Sequence, residues 1–96
     1  MGTMTTLREI IANLDRLDDQ STIYARIPWS PESEATVERE PDEGGLPEGA
    51  RNSGMSYFLE VFLARDVLSS WAAALPQPPS LDQRCDRLAH YALYDA

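Results

Sequence analysis

The sequence predicts one α+β domain: a three-stranded antiparallel meander with helices packed on one face, in the order α-β-β-β-α-α. Three observations predict it. Apolar residues recur at helical spacing toward both ends of the chain, while β-branched, aromatic or alternating runs fill the middle. Stretches rich in proline and glycine separate these regimes. Three successive strands most simply pair as neighbours, and helices gathered outside them cover one sheet face. The 96 residues fit a single domain spanning 1–96, and 43% apolar against 25% charged residues is the balance of a folded chain, not a disordered one.

Leu7, Ile10, Ile11, Leu14 and Leu17 form one helical stripe, which predicts a first helix over 6–17. Thr6 followed by Glu9 has the spacing of a capping box. Residues 1–5 are expected to be disordered or appended, with Met4 as the native start. Thr22–Ile27 is β-branched and aromatic, hence a strand that Pro28 stops. In residues 33–40, Ala35 and Val37 alternate with Glu34, Thr36, Glu38 and Glu40, the pattern of a half-buried strand with an acidic outer face. Residues 41–54 hold four glycines and two prolines and are expected to be a flexible loop without regular structure. Met55–Ala64 is apolar on both faces: Tyr57, Leu59, Val61 and Leu63 on one, Phe58 and Phe62 flanking Glu60 on the other. A central strand covered on both sides is expected there. Val67, Leu68, Trp71, Ala72 and Leu75 return to helical spacing with Asp66 as cap, and Pro76, Pro78 and Pro79 break the chain. Ser80 with Gln83 is a second capping box, opening a last helix that turns Leu81, Cys85, Leu88, Ala89 and Ala92 inward.

Sixteen acids against eight basic residues, all arginine, give a net charge of −8. Such a body repels nucleic-acid phosphates and anionic membrane surfaces, so neither direct nucleic-acid binding nor a membrane is expected. A basic protein face remains compatible, and the same charge also serves solubility. No run of residues resembles a signal peptide or a span, so a cytoplasmic location is expected.

Chemical motifs are sparse. His90, the only histidine, shares a helix face with Asp86, but no third ligand is placed beside them, so no metal or cofactor is expected. Cys85, the only cysteine, lies on an apolar stripe, the setting of an inert thiol. Ser53, Ser56, Ser69 and Ser70 lack the signature of an activated nucleophile. Gly44–Gly49 is glycine-rich but has neither the lysine nor the following helix of a phosphate loop. No catalytic residue is assigned and an enzyme is not expected. Glu60, mid-strand between two phenylalanines, is expected either to pair with Arg26 or Arg39 or to lie on an exposed sheet face. Trp29 stands on a turn stiffened by Pro28 and Pro31, where it covers its own core or anchors a partner.

Thr22-Ile23-Tyr24-Ala25, Pro28-Trp29-Ser30-Pro31, Tyr57-Phe58-Leu59-Glu60-Val61 and the ending Arg87–Ala92 together resemble a family of small acidic bacterial proteins without an assigned activity. In size, acidity and α/β pattern the chain is also similar to immunity proteins of bacterial toxin systems and to phage-encoded inhibitors of nucleic-acid-binding machines. That likeness of type implies a stoichiometric binder and brings no catalytic residues. The expectation is a non-enzymatic acidic protein that occupies a basic surface on a partner protein as an immunity-type inhibitor. Glu32, Glu34, Glu38, Glu40, Asp42, Glu43 and Glu60 would supply the field and Trp29 the anchor. The alternatives are a nucleic-acid-mimicking or phage-type inhibitor, such as an anti-CRISPR, and a structural homodimer joined along a strand edge or the Phe58/Phe62 face.

Overall fold

Thr22–Ala25 organises the molecule. In a computed structural model of the chain, which describes residues 5–95, this segment is strand β2 and all four of its residues are buried. Strands β1 (Thr5–Thr6), β3 (Glu34–Glu38) and β4 (Ser56–Glu60) join it in an antiparallel sheet ordered β1-β3-β2-β4. The α+β class holds, with four strands and not three. The expected meander does not form: β2, not β3, lies between the other two long strands, and the chain from β3 to β4 crosses it. The connection that crosses is long enough to skip a strand, so sequence neighbours need not be sheet neighbours. Thr5 is part of β1, against the expectation of disorder there, while residues 1–4 lie outside the described residues.

Two helices flank the sheet in the places expected. Helix α1 (Leu7–Ala12) is followed by a 3-10 turn (Leu14–Arg16), so the predicted single helix is broken at Asn13. The Thr6 hydroxyl accepts from the Glu9 amide, but the Glu9 carboxylate takes the Thr5 hydroxyl, so only half of the capping box is present. The first two amides of α1 donate to the Ser33 and Pro31 carbonyls, which ties the helix start to the turn before β3. The last helix, named α4 below (Leu81–Tyr94), opens on the full Ser80–Gln83 box, as its sequence predicts.

Two elements differ from expectation. Glu48–Asn52 forms a short helix, α2, inside the segment read as irregular. Strand β4 stops at Glu60, and helix α3 (Val61–Ala73) starts at the next residue, with Glu60 and not Asp66 as its N-cap. Val61, Leu63 and Ala64 are therefore helical, and β4 is the edge of the sheet, not its centre.

Helices α1, α3 and α4 share one face. Leu7, Ile10, Ile11 and Leu14 meet Ile23, Ala25, Ala35, Phe58, Leu59, Ala64, Cys85 and Leu88 in the main core. Each large aliphatic side chain buried there contributes about 1.5–3 kcal/mol of transfer free energy. Tyr24 alternates to the opposite face, where Leu46, Ala50 and Met55 cover it in a second, small cluster. Segment 41–54 is thus a lid over the back of the sheet, which explains why β2 is buried on both sides.

Candidate functional site

The back of the sheet carries the acidic site, and the strand register builds it. Thr22 is paired with Glu38 on one side and Glu60 on the other. Directly opposed residues project from the same face, and strands lie about 4.8 Å apart, so the two glutamates stand about 10 Å apart at their Cα atoms, across a short threonine. Thr22 is buried between them, and Glu38 and Glu60 are half-buried. Two residues along β2, Tyr24 is paired with Thr36 and Tyr57. A bulge at Phe58 allows this: Ile23 faces Leu59 but Tyr24 faces Tyr57, so one residue of β4 is extra. Phe58 and Leu59 both join the main core, while Tyr57 and Glu60 share the back face.

The tyrosine hydroxyls belong to the same site. Tyr57 Oη donates to Glu60 Oε1 at 3.3 Å. Burial pushes the Tyr57 hydroxyl above its ordinary range, and the Glu60 and Glu40 charges push it the same way. Burial likewise raises Tyr24, with Glu40, Glu38 and Glu60 adding to it. The Thr22 hydroxyl lies near and works against that shift. The Tyr24 hydroxyl is buried and has no hydrogen-bond partner among the described residues. Both phenols stay neutral at physiological pH beside carboxylates.

The acids named from sequence separate into two groups. Glu32 is held by Arg8 at 2.8 Å, and Arg8 also reaches Asp82 at 3.1 Å. Glu34 lies 3.6 Å from Arg26, whose Nη2 also donates to the Ser53 carbonyl at 2.8 Å. Arg39 turns away to Asp18 at 2.8 Å. The backbone amide of Gln20 and that arginine hold the Asp18 carboxyl below its ordinary range. Glu60 consequently pairs with neither Arg26 nor Arg39, contrary to one expectation; its partner is the Tyr57 hydroxyl. Among the described residues, Glu38, Glu40, Asp42, Glu43 and Glu60 form no ion pair. Asp42 and Glu43 lie exposed in the turn after β3.

Trp29 is half-buried, follows the cis Ile27–Pro28 peptide, and faces inward. Its indole N–H donates to the Ala25 carbonyl at 3.1 Å and its ring stands edge-on to Phe58. That is the core-covering arrangement of the two foreseen for it. Phe58 is buried and Phe62 is 51% exposed, so the Phe58/Phe62 face considered for a homodimer does not exist.

Elsewhere, Cys85 is buried, and that burial raises its thiol above the ordinary range. His90 is exposed, and its ring lies against that of Tyr94 with centroids 4.8 Å apart. Among the described residues no three of His, Cys, Asp and Glu gather as a metal cluster would, and no helix is long and apolar enough to cross a membrane. Comparison of the chain with protein-family models, curated proteins and solved structures gives no match, so neither a family nor an activity comes to it from a relative. Tyr24, Tyr57 and Thr22 were not assigned to the site from sequence. The signal available was the alternation of Thr22 and Tyr24 against Ile23 and Ala25, which marks a second, polar face of β2.

Proposed function

We propose that this protein is a non-enzymatic, stoichiometric binder that covers a basic surface of another protein, in the manner of an immunity-type inhibitor of a bacterial toxin. One observation carries the reading: Glu38 and Glu60 flank Thr22 on one sheet face, with Glu40 beside them, and among the described residues no arginine neutralises any of the three. Unpaired carboxylates on a rigid sheet cost little to reorganise when a cationic surface arrives, and they steer its approach. Glu32 and Glu34, already paired with arginines, contribute less to that field. Trp29 packs with its N–H and ring on the side of the main core, so it is left out of the acidic face.

The test is capture of a partner from the native host by the tagged protein. Reversal of Glu38, Glu40 and Glu60 to lysine should abolish capture. Reversal of Asp66, Asp86 and Asp95, on or at the end of the helices, changes net charge equally and should leave capture intact. Equal loss in both variants would mean that bulk charge alone is responsible and would remove the face from the account.

A further inference from the structure

We propose that the gap between Glu38 and Glu60 is a receptor for a single guanidinium, so that the basic partner is recognised through one arginine side chain lodged over Thr22. The inference rests on the binding function just proposed and names the group that the site takes. Three features of the gap select an arginine. Glu38 and Glu60 stand about two strand spacings apart at their Cα atoms on one face, so their side chains can take the two edges of a flat guanidinium from opposite sides. The Tyr57 ring, 41% exposed on the same face, gives a guanidinium plane a surface to stack on. Among the described residues no three His, Cys, Asp or Glu side chains stand as they must to hold a metal ion, so a divalent ion finds no cage here.

The Tyr24 hydroxyl is the independent sign that something is missing from the acidic cluster. Tyr24 is 1% exposed and its hydroxyl has no protein partner among the described residues, although Glu40, Glu38 and Glu60 all act on it. Buried hydroxyls are nearly always hydrogen-bonded, and each exception calls for an explanation. A guanidinium supplies it. As the half-buried Glu38 and Glu60 side chains swing onto the incoming cation, the phenol oxygen accepts one of its five N–H groups.

The probe is N-acetyl-arginine amide, titrated into the intact protein while the ring carbons of Tyr24 and Tyr57 are followed by NMR. N-acetyl-lysine amide and the neutral N-acetyl-citrulline amide serve as comparisons. The arginine probe should shift both rings saturably, bind at least about fivefold tighter than the lysine probe, and leave the citrulline probe without effect. Glu38→Gln and Glu60→Gln should each weaken it about tenfold, and the near-isosteric Tyr24→Phe about threefold or more. Equal affinity for lysine and arginine, or an unchanged arginine affinity in Tyr24→Phe, overturns the receptor. Failure here is separable from failure of the function. A chain that loses its partner when Glu38, Glu40 and Glu60 are reversed, yet does not prefer arginine, remains an acidic binder without this receptor. A chain that selects arginine but captures no basic protein keeps the receptor and loses the function.

Discussion

Trp29 stands edge-on to Phe58, with ring centroids 5.0 Å apart and planes at 87°. The turn between β2 and β3 is held in this pose by its own polar groups. Ser33 Oγ accepts from the Ser30 amide and donates to the Pro28 carbonyl, while the indole N–H reaches back to Ala25. An edge-to-face pair adds about 0.5–1.5 kcal/mol to the area the rings bury. Trp29→Ala is therefore expected to cost about 3 kcal/mol, and Trp29→Phe about 1 kcal/mol through loss of the N–H bond. Urea unfolding midpoints check both values. Capture of a partner should survive Trp29→Phe, and a variant that folds normally but captures nothing would return the indole to the binding face.

Arg65 on α3 closes the end of the first helical segment. Its guanidinium donates to the Leu14 carbonyl through Nε at 3.0 Å and Nη2 at 2.7 Å, to the Leu17 carbonyl, and to Asp19. The Leu14 carbonyl also takes the Leu17 amide at 3.2 Å, so the guanidinium is its further donor, while the Leu17 carbonyl lies just past the 3-10 turn. Arg65→Ala leaves the Leu14 carbonyl with the Leu17 amide alone and strips the Leu17 carbonyl and Asp19 of this donor, at an expected cost of about 2 kcal/mol. Arg65→Lys should recover less than half of that, because a single ammonium cannot fork between two carbonyls and a carboxylate. Thermal unfolding of the three proteins side by side decides it; full rescue by lysine would reduce the contact to a point charge.

Periodicity revealed what local chemistry dictates and missed what distant contacts decide. The Ser80–Gln83 box, the stripe from Leu7 to Leu14 and the strands around Ile23 and Val37 are each set by residues a few positions apart, and each is where the pattern put it. Helix α2 has no apolar stripe of its own; it forms because Leu46, Ala50 and Met55 cover Tyr24. The step from β4 to α3 was illegible because no breaker stands between Glu60 and Val61, and residues 61–64 suit either a buried strand or a helix. The bulge at Phe58 added to this, since it sends two consecutive residues into the same core. Sheet order was hidden for a related reason: a hydrophobic pattern specifies faces, not neighbours. In the site, the clustering of acids could be read directly. Their partition into neutralised Glu32 and Glu34 and unpaired Glu38, Glu40 and Glu60 depends on where Arg8, Arg26 and Arg39 land after folding.

Cys85 tests the depth of the helical layer. Burial leads the upward shift of its thiol and the Arg8 charge opposes it, so the reactive thiolate is scarce in the native state. A thiol reagent at neutral pH should label the native protein only as fast as it opens, and labelling should follow urea unfolding. Cys85→Ser, which buries a hydroxyl in the main core, should destabilise the protein by about 2 kcal/mol. Rapid labelling of the folded chain would show that α4 is not seated as described.

Tyr24 sets stability against recognition. Its ring packs against Leu46, Ala50 and Met55, and its buried hydroxyl has no protein partner among the described residues, a state that costs about 1–3 kcal/mol. Removing the oxygen while keeping the ring should therefore help the free protein: Tyr24→Phe is expected to gain about 1 kcal/mol at neutral pH. The alkaline limb gives an independent reading. Tyr24 and Tyr57 both have folded values raised above the ordinary phenol, chiefly by burial. Their contribution to stability is thus complete below the unfolded value of about 10 and is lost as pH rises through the folded values. Tyr24→Phe should flatten that loss by removing one of the two groups, whereas Tyr57→Phe should flatten it while also giving up the bond to Glu60. Urea midpoints taken at neutral pH and at steps between about pH 9 and pH 11 separate these outcomes. A loss of stability in Tyr24→Phe at neutral pH would mean that the hydroxyl is already satisfied within the fold. The strongest reason to seat a guanidinium between Glu38 and Glu60 would then be gone.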